Sequence, residues 1–463
     1  MQASDLFPDR VKTSTALEDA AEFFLDECDR RFGVLAYRGG HYVFVHRTFQ
    51  EYLAAHWLSM QTEADQKEQL MTMLKNPSHW REVIRLFFNR QGKNSPNFGE
   101  TLIEELGEQA EIQQDPQLTR LAAESLNDFK EYKEKCYRLH DAVKVRLQNL
   151  RDRSHGQSEL FIVAGDSLGL INEPDIDVAE PRLVLLEPNE PFDMGCDEYP
   201  DEQPIHPVQL APFEMGAYPV TNKEFAEFIK GNGYSDTQYW FDHDGPFHFD
   251  GHSFLKELPE KYPEQWLDES FGRNRPLAPV VGISWYEARA YCRWWTLTFG
   301  PNRLNQNHQS GSMRLPTEAE WEYACRAGTP TPFNTGANLT TEQANYNGNH
   351  PYKGNPKGKY LRQTTSVGSY PPNGWGLYDM HGNVWEWCLD WYSDKYYEEC
   401  VQQGIAENPR GPKDGSDRVL RGGSWLDFAR YCRSAYRSYY HPGHRSGVIG
   451  FRLVFVPSQL GVD

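Results

Sequence analysis

Residues 373–391 read NGWGLYDMHGNVWEWCLDW, and this stretch decides what kind of domain the chain contains. Asn373-Gly374 and Gly382-Asn383 are turn pairs. Trp385 and Trp387 follow the second pair and alternate with Glu386, the period of a short half-buried strand. Core packing is the expected role of these tryptophans, ahead of a ligand cage. Upstream, residues 314–324 (RLPTEAEWEYA) form a helix start, with Thr317 as N-cap and Glu320 closing a capping box, so that Trp321 and Ala324 point inward. Short apolar runs, frequent turns and dense aromatics extend in both directions from Pro181 onward.

The rest of the chain is of another kind. Aromatics make up 14% of 463 residues, and the 13 tryptophans fall mostly after residue 230, whereas residues 100–155 hold none and are rich in charge. The length predicts two or three domains. A net charge of −19 argues against nucleic acid or an anionic membrane as the main partner, leaving only a local basic patch open. No run of eighteen apolar residues occurs and Met1–Arg10 is polar, so neither a membrane span nor a signal peptide is expected and the expected location is cytoplasmic. The eight cysteines, from Cys28 to Cys432, show no CxxC pair or finger-like spacing and are expected to be free thiols.

Residues 1–60 predict helix, hairpin, helix: apolar positions share one face over 16–28, and Val34–Val45 is strand-like, broken by Arg38-Gly39-Gly40. Residues 61–155 predict helical hairpins through Trp80, Val83, Ile84 and Phe87, then Leu118, Leu121, Ala122 and Leu126, then Leu139, Val143, Leu147 and Leu150. Residues 156–180 are expected as linker. The segment Tyr42–Ala55 (YVFVHRTFQEYLAA) resembles the signature closing the NTPase module of NACHT-type signalling proteins. Such a module needs a phosphate-cradling loop ending in Gly-Lys-Ser/Thr, and residues 354–359 (GNPKGK) are too short and lack the hydroxyl. The resemblance therefore implies only the tail of the module, with His46 and Glu51 structural and an NTPase or signalling partner acting through this region.

Residues 181–463 carry a second resemblance, in ordered blocks: 192–195 (FDMG), 220–225 (VTNKEF), 279–285 (PVVGISW) with Ala288 and Tyr291, 314–324, 373–391, 418–425 (RVLRGGSW) and 450–452 (GFR). They resemble the formylglycine-generating-enzyme (sulfatase-modifying factor) family. The resemblance implies a C-type-lectin-like core, making the chain α+β: a helical N-terminal region followed by a mixed domain with much irregular structure. It also implies an oxidase using two cysteines and copper, which needs adjacent thiolates. The second cysteine position falls on Cys432 but the first on Asp427, so no catalysis and no required cofactor are expected. His243, His248 and His252 are weighed against the three-histidine iron site of other members, and a solvated loop is preferred. Structural Ca²⁺ in the family makes Asn383 and Glu386 candidate ligands.

Residues 426–448 fit neither packing nor catalysis. Between scaffold-like residues (Arg430, Arg433, Ser434, Arg437, Pro442, Gly443, Arg445, Ile449) stand Leu426, Asp427, Phe428, Tyr431, Tyr436, Ser438, Tyr439, Tyr440, His441, His444, Ser446, Gly447 and Val448. Each of these thirteen can be encoded by a codon ending in C that is reached from AAC by changing adenines only. This resembles the variable region of a diversity-generating-retroelement target protein. Tyr, Ser, Gly and His dominate, the composition of a paratope. The expected function is non-catalytic recognition of a protein or other macromolecule by this surface, as the sensor part of a NACHT-type system. The alternatives are a formylglycine-generating or other metal-dependent oxidase, and a fixed structural adaptor.

Overall fold

The computed structural model describes residues 35–38, 41–44, 47–130, 137–154, 158–171, 176–242, 249–300 and 311–457. The chain divides into two compact units, Met1–Leu150 and Arg151–Asp463. The expected helix over 16–28, His46, His243 and His248 lie outside the described residues.

In the first unit β1 (Leu35–Arg38) and β2 (His41–Phe44) form an antiparallel hairpin. Helices α1 (Arg47–Ser59), α2 (Glu63–Met73), α3 (Pro77–Asn94), α4 (Pro96–Gln113), α5 (Pro116–Lys130) and α6 (Tyr137–Arg153) follow. Pro77, Pro96 and Pro116 each open a helix, where the missing N–H has no partner to lose. The apolar positions predicted on α3, α5 and α6 are buried, with Trp80 half-buried. Arg81 and Arg85, one turn apart on α3, grip Glu124 and Asp128, one turn apart on α5, and so fix the register of the two helices.

The second unit begins with a correction. Within the expected 156–180 linker stands α7 (Ser158–Leu170), whose Leu160, Phe161, Ala164 and Leu168 are buried. Phe161 and Ile162 pack with Leu361 and Tyr370, and Asp166 accepts two bonds from the buried Arg275 guanidinium at 2.7 and 2.9 Å. The polar runs at 151–157 and 172–181 masked a mostly apolar stretch (LFIVAGDSL, 160–168) long enough for about two and a half turns.

The short strands are β3 (Leu183–Leu186), β4 (Phe192–Met194), β5 (His206–Gln209), β6 (Phe213–Gly216), β7 (Phe241–Asp242), β8 (Phe249–Asp250), β9 (Gly311–Arg314), β10 (Trp385–Trp391), β11 (Ala406–Glu407), β12 (Arg418–Arg421), β13 (Arg437–Tyr440), β14 (Ile449–Gly450) and β15 (Val454–Pro457). One sheet runs β3-β6-β15-β9 and another β13-β12-β10-β14, in which only the β10–β14 pairing is parallel. Between them in sequence lie α8 (Asn222–Lys230), α9 (His252–Glu257), α10 (Trp285–Thr298), α11 (Glu318–Arg326) and α12 (Tyr396–Gln402). Helices α8, α10 and α11 all start with capping boxes, Thr221/Glu224, Ser284/Glu287 and Thr317/Glu320, each N-cap contributing about 1 kcal/mol. The aromatic core gathers Phe225, Trp240, Trp285, Trp295, Trp387 and Phe451, with Trp321 in a neighbouring cluster.

Strand β10 differs from its expected pattern: Trp385, Glu386 and Trp387 are all buried. It is a central strand covered on both faces, and Glu386 is admitted because Arg452 donates to both its oxygens, at 2.6 and 2.7 Å, while Trp321 Nε1 donates at 2.7 Å. The architecture is α+β, a helical N-terminal region followed by a C-type-lectin-like mixed domain.

Candidate ligand-binding surface

Three arginines hold residues 426–448 to the domain. Arg433 donates to both oxygens of Glu202, at 2.8 and 2.5 Å, and Arg437 to both oxygens of Glu318, at 2.7 and 2.9 Å. Arg445 grips Glu287 in the same two-point way, with Nε–Oε2 at 2.8 Å. The carboxylates come from the turn Pro200–Glu202, the first residue of α11 and the capping box of α10, so three separate elements fix one segment. Arg437 and Arg433 are almost wholly buried, where forked guanidinium–carboxylate geometry is worth most. The entry to the segment is equally constrained. Gly422 and Gly423 have φ of 100° and 74°, and a Cβ on Gly423 would stand 2.6 Å from Cys432 Sγ.

None of the thirteen candidate positions is buried, whereas Ala429, Cys432, Arg433, Ser434, Ala435, Arg437 and Pro442 between them and Ile449 just after them are. Leu426, Tyr439, Tyr440 and His441 are exposed, and Asp427, Phe428, Tyr431, Tyr436, Ser438, His444, Ser446, Gly447 and Val448 are half-buried. Arg430, expected as scaffold, is exposed: its guanidinium lies over the Phe428 and Tyr431 rings at 5.4 and 4.5 Å. Gly443 and Arg445 are half-buried.

Trp385 ties distant parts of the segment together. Its Nε1 donates to Asp427 Oδ2 at 2.8 Å, its backbone N–H donates to Val448 O at 2.8 Å, and its ring lies 6.1 Å from Tyr436. Tyr436 contacts Tyr431 at 5.0 Å, Tyr431 contacts Phe428 at 5.8 Å, and Phe428 stacks on His350 at 3.7 Å. Tyr199 packs edge-on against Tyr436. Trp425 donates to Gly447 O at 3.1 Å and lies beside Phe271 and Tyr360. On β13, the edge strand of its sheet, Tyr439 stacks on Tyr392 at 4.0 Å, and Tyr440 stacks on His444 at 4.2 Å. The flanking residues Tyr199, Phe271, His350, Tyr360 and Tyr392 were not singled out from the sequence, because tens to more than two hundred positions separate them from the segment they join, whereas Trp425 closes the block that leads into it.

The copper chemistry of the resemblance does not fit these residues. Burial pushes the Cys432 thiol well above its usual pKa, with the Asp427 carboxyl adding to the effect, and burial pushes Cys325 up to about 12. A soft cation needs a pair of thiolates close together, and with Asp427 at the first position Cys432 alone remains of that pair. At the other position Asp427 is occupied as the acceptor of Trp385 and Ser424, and burial raises its pKa.

The candidate calcium ligands have other partners. Both Glu386 oxygens face Arg452, and Asn383, at φ 64°, accepts from Thr365 N at 3.0 Å and Asn345 Nδ2 at 3.2 Å. His252 begins α9 with Nε2 3.1 Å from Thr237 O. Among the described residues no group of three or more His, Cys, Asp or Glu could hold a metal ion, and no helix is long and apolar enough to cross a membrane.

Comparison with known proteins places these features in a family. Residues 173–456 match the sulfatase-modifying factor enzyme 1-like domain. The formylglycine-generating enzyme of Streptomyces coelicolor is 36% identical over 327 residues, covering 63% of this chain and 95% of that protein. The serine/threonine-protein kinase pkn1 of Chlamydia pneumoniae is 32% identical over 277 residues, covering 58% of this chain but only 37% of the kinase. Among solved structures, Treponema denticola variable protein 1 aligns over 59% of this chain and 95% of its own, at 24% identity and a TM-score of 0.40. The chain belongs to the family of sulfatase-modifying factor enzyme 1-like domains.

Proposed function

We propose that this family member is a recognition protein, not a catalyst, and that residues 426–448 form a binding face for a protein or other macromolecule. The supporting observation is the division of labour within the segment. Seven buried residues and three forked ion pairs hold its backbone, while all thirteen candidate positions reach solvent. A backbone fixed from beneath tolerates exchange of side chains above it, which a diversified surface requires. Tyr431, Tyr436, Tyr439 and Tyr440 give rigid amphipathic area, and Ser438, Ser446 and Gly447 adapt to shape. An interface of standard size takes about 20–30 residues a side, so thirteen positions and their aromatic neighbours would form its centre.

The same reading assigns the diversity to a retroelement that rewrites adenines in a template. Sequencing the 3′ end of the gene and its flank tests it. Thirteen codons ending in C, with a near-copy carrying AAC beside a reverse-transcriptase gene, are expected; mixed third bases and no template overturn it. The sensor role rests on the resemblance of residues 42–55 to a NACHT-type module, with the first unit contacting an NTPase or signalling partner. The competing reading, an oxidase, is favoured by the relatives named formylglycine-generating enzyme and opposed by Asp427, which leaves Cys432 alone of the pair.

A further inference from the structure

Four arginines stand in the segment 426–448, and three of them are forked onto carboxylates. Arg430 is the exception: among the described residues no Asp or Glu pairs with it. Its side-chain hydrogen bond there runs from Nη2 to the Tyr431 hydroxyl, which leaves Nε and Nη1 without an acceptor. The ionisable groups that bear on it are tyrosines, Tyr431 first and then Tyr199 and Tyr436. The carboxylates beside the face are already engaged. Glu202 faces Arg433, Glu198 accepts from the Tyr352 hydroxyl at 2.7 Å and lies 3.2 Å from Lys353, and Asp427 accepts from Trp385 and Ser424.

The Arg430 guanidinium is exposed yet held in place. Arg433 Nε donates to the Arg430 carbonyl at 3.0 Å, which fixes the backbone of the 3₁₀ turn Ala429–Cys432. The ring centroids of Phe428 and Tyr431 lie 5.4 and 4.5 Å from the guanidinium, and Phe428 is itself stacked on His350. A cation laid over two rings keeps its planar fork oriented and loses little rotamer freedom on binding. Arginine and tyrosine are also the side chains on which interface energy concentrates.

Charge decides the class of partner. One free guanidinium amid aromatic rings matches one carboxylate with apolar neighbours, and a ligand that excludes water from the pair strengthens it. A polyanion is disfavoured: the chain carries −19 overall, and the other three arginines of the segment are neutralised.

We propose that the ligand of this face is a protein segment carrying an Asp or Glu beside apolar or aromatic residues, and that its carboxylate docks on Arg430. The inference rests on residues 426–448 being the recognition face, and it adds Arg430 to the thirteen positions as a ligand contact.

Panning a displayed library of random peptides on the full chain tests this, keeping clones that fail to bind the variant with all thirteen positions changed to asparagine. Synthetic copies of the selected peptides are then titrated by fluorescence anisotropy. They are expected to share an acidic residue next to apolar ones, and Arg430→Gln should weaken their binding about tenfold or more. Arg430→Glu should bind again when the acidic residue of the peptide is replaced by lysine, a recovery that a merely structural role of Arg430 would not give. Arg430 is exposed, so both variants should keep the melting temperature of the parent. Selected peptides without a shared acidic residue, or binding indifferent to Arg430→Gln, would overturn the inference and leave the recognition face standing. A library that yields no peptide dependent on the thirteen positions would overturn the face itself, and this inference with it.

Discussion

Arg437 and Glu318 meet through two parallel bonds of 2.7 and 2.9 Å in a fully buried position, joining the edge strand that carries Tyr439 and Tyr440 to the first turn of α11. The same carboxylate lies 3.4 Å from Arg421, and the Glu318 N–H donates to Asp390. Removing the carboxylate leaves the buried Arg437 guanidinium with only the Asp201 and Ser393 carbonyls, while Arg421 keeps Glu322. Glu318→Ala is expected to cost about 3–5 kcal/mol in urea unfolding, whereas Tyr439→Asn on the same strand should stay within roughly 0.5–1 kcal/mol. Equal costs for the two would show that the segment is not held from beneath.

That contrast extends to the whole face. Changing all thirteen candidate positions to asparagine should leave a folded domain, since none is buried and an asparagine at 427 can still accept from Trp385 and Ser424. The multiple variant should keep its far-ultraviolet spectrum and a cooperative melt, losing only ligand capture. Retention of ligand capture would mark a fixed adaptor instead.

How much of this was legible depended on whether a residue's role was local. Thr317 and Glu320 announce their helix because a capping box lies within four positions. The codon-compatible residues of 426–448 could be named because their signal is compositional, and the arginines between them stood out as scaffold. Their partners Glu202, Glu287 and Glu318 could not, since each lies more than a hundred residues away. Glu386 was misjudged for the same reason: its burial is permitted by Arg452, 66 positions on, and by Trp321, 65 positions before. Arg430 erred in the opposite direction, because spacing alone does not separate an arginine over exposed rings from one inside an ion pair.

Helix α7 gives a direct test of the corrected linker. Asp166 is 23% exposed and grips Arg275, which is 5% exposed. Asp166→Ala leaves Arg275 with only Thr364 and the Ser270 carbonyl, and a loss of about 2 kcal/mol in unfolding free energy is expected after discounting for solvent. A neutral result would return these residues to the status of a tether.

Catalysis can be tested without any variant. The purified chain, supplied with copper and a cysteine-containing peptide in air, is expected to leave the peptide mass unchanged, because Asp427 stands where a second thiolate is needed. Conversion of the peptide cysteine to formylglycine would restore the oxidase reading.

His381 predicts how stability follows pH. Asn334 N–H can only donate, so Nε2, at 3.0 Å, must accept, and Nδ1 must donate to Cys432 O at 2.7 Å; the ring is therefore neutral. Burial lowers its pKa from 6.5 to about 4, with Arg326 opposing protonation as well. Between those values the unfolded chain binds a proton that the folded chain refuses, so this stability is complete above pH 6.5 and is lost as pH falls toward about 4. The loss amounts to roughly 3 kcal/mol. Asp390, pushed by burial up to about 8, acts with the opposite sign, its stabilisation declining as pH rises from 3.8 toward 8. The two are separable by substitution: melting curves of His381→Gln between pH 4 and 7 should lose the acid-side slope of the parent. An unchanged slope in that variant would place the acid sensitivity elsewhere in the domain.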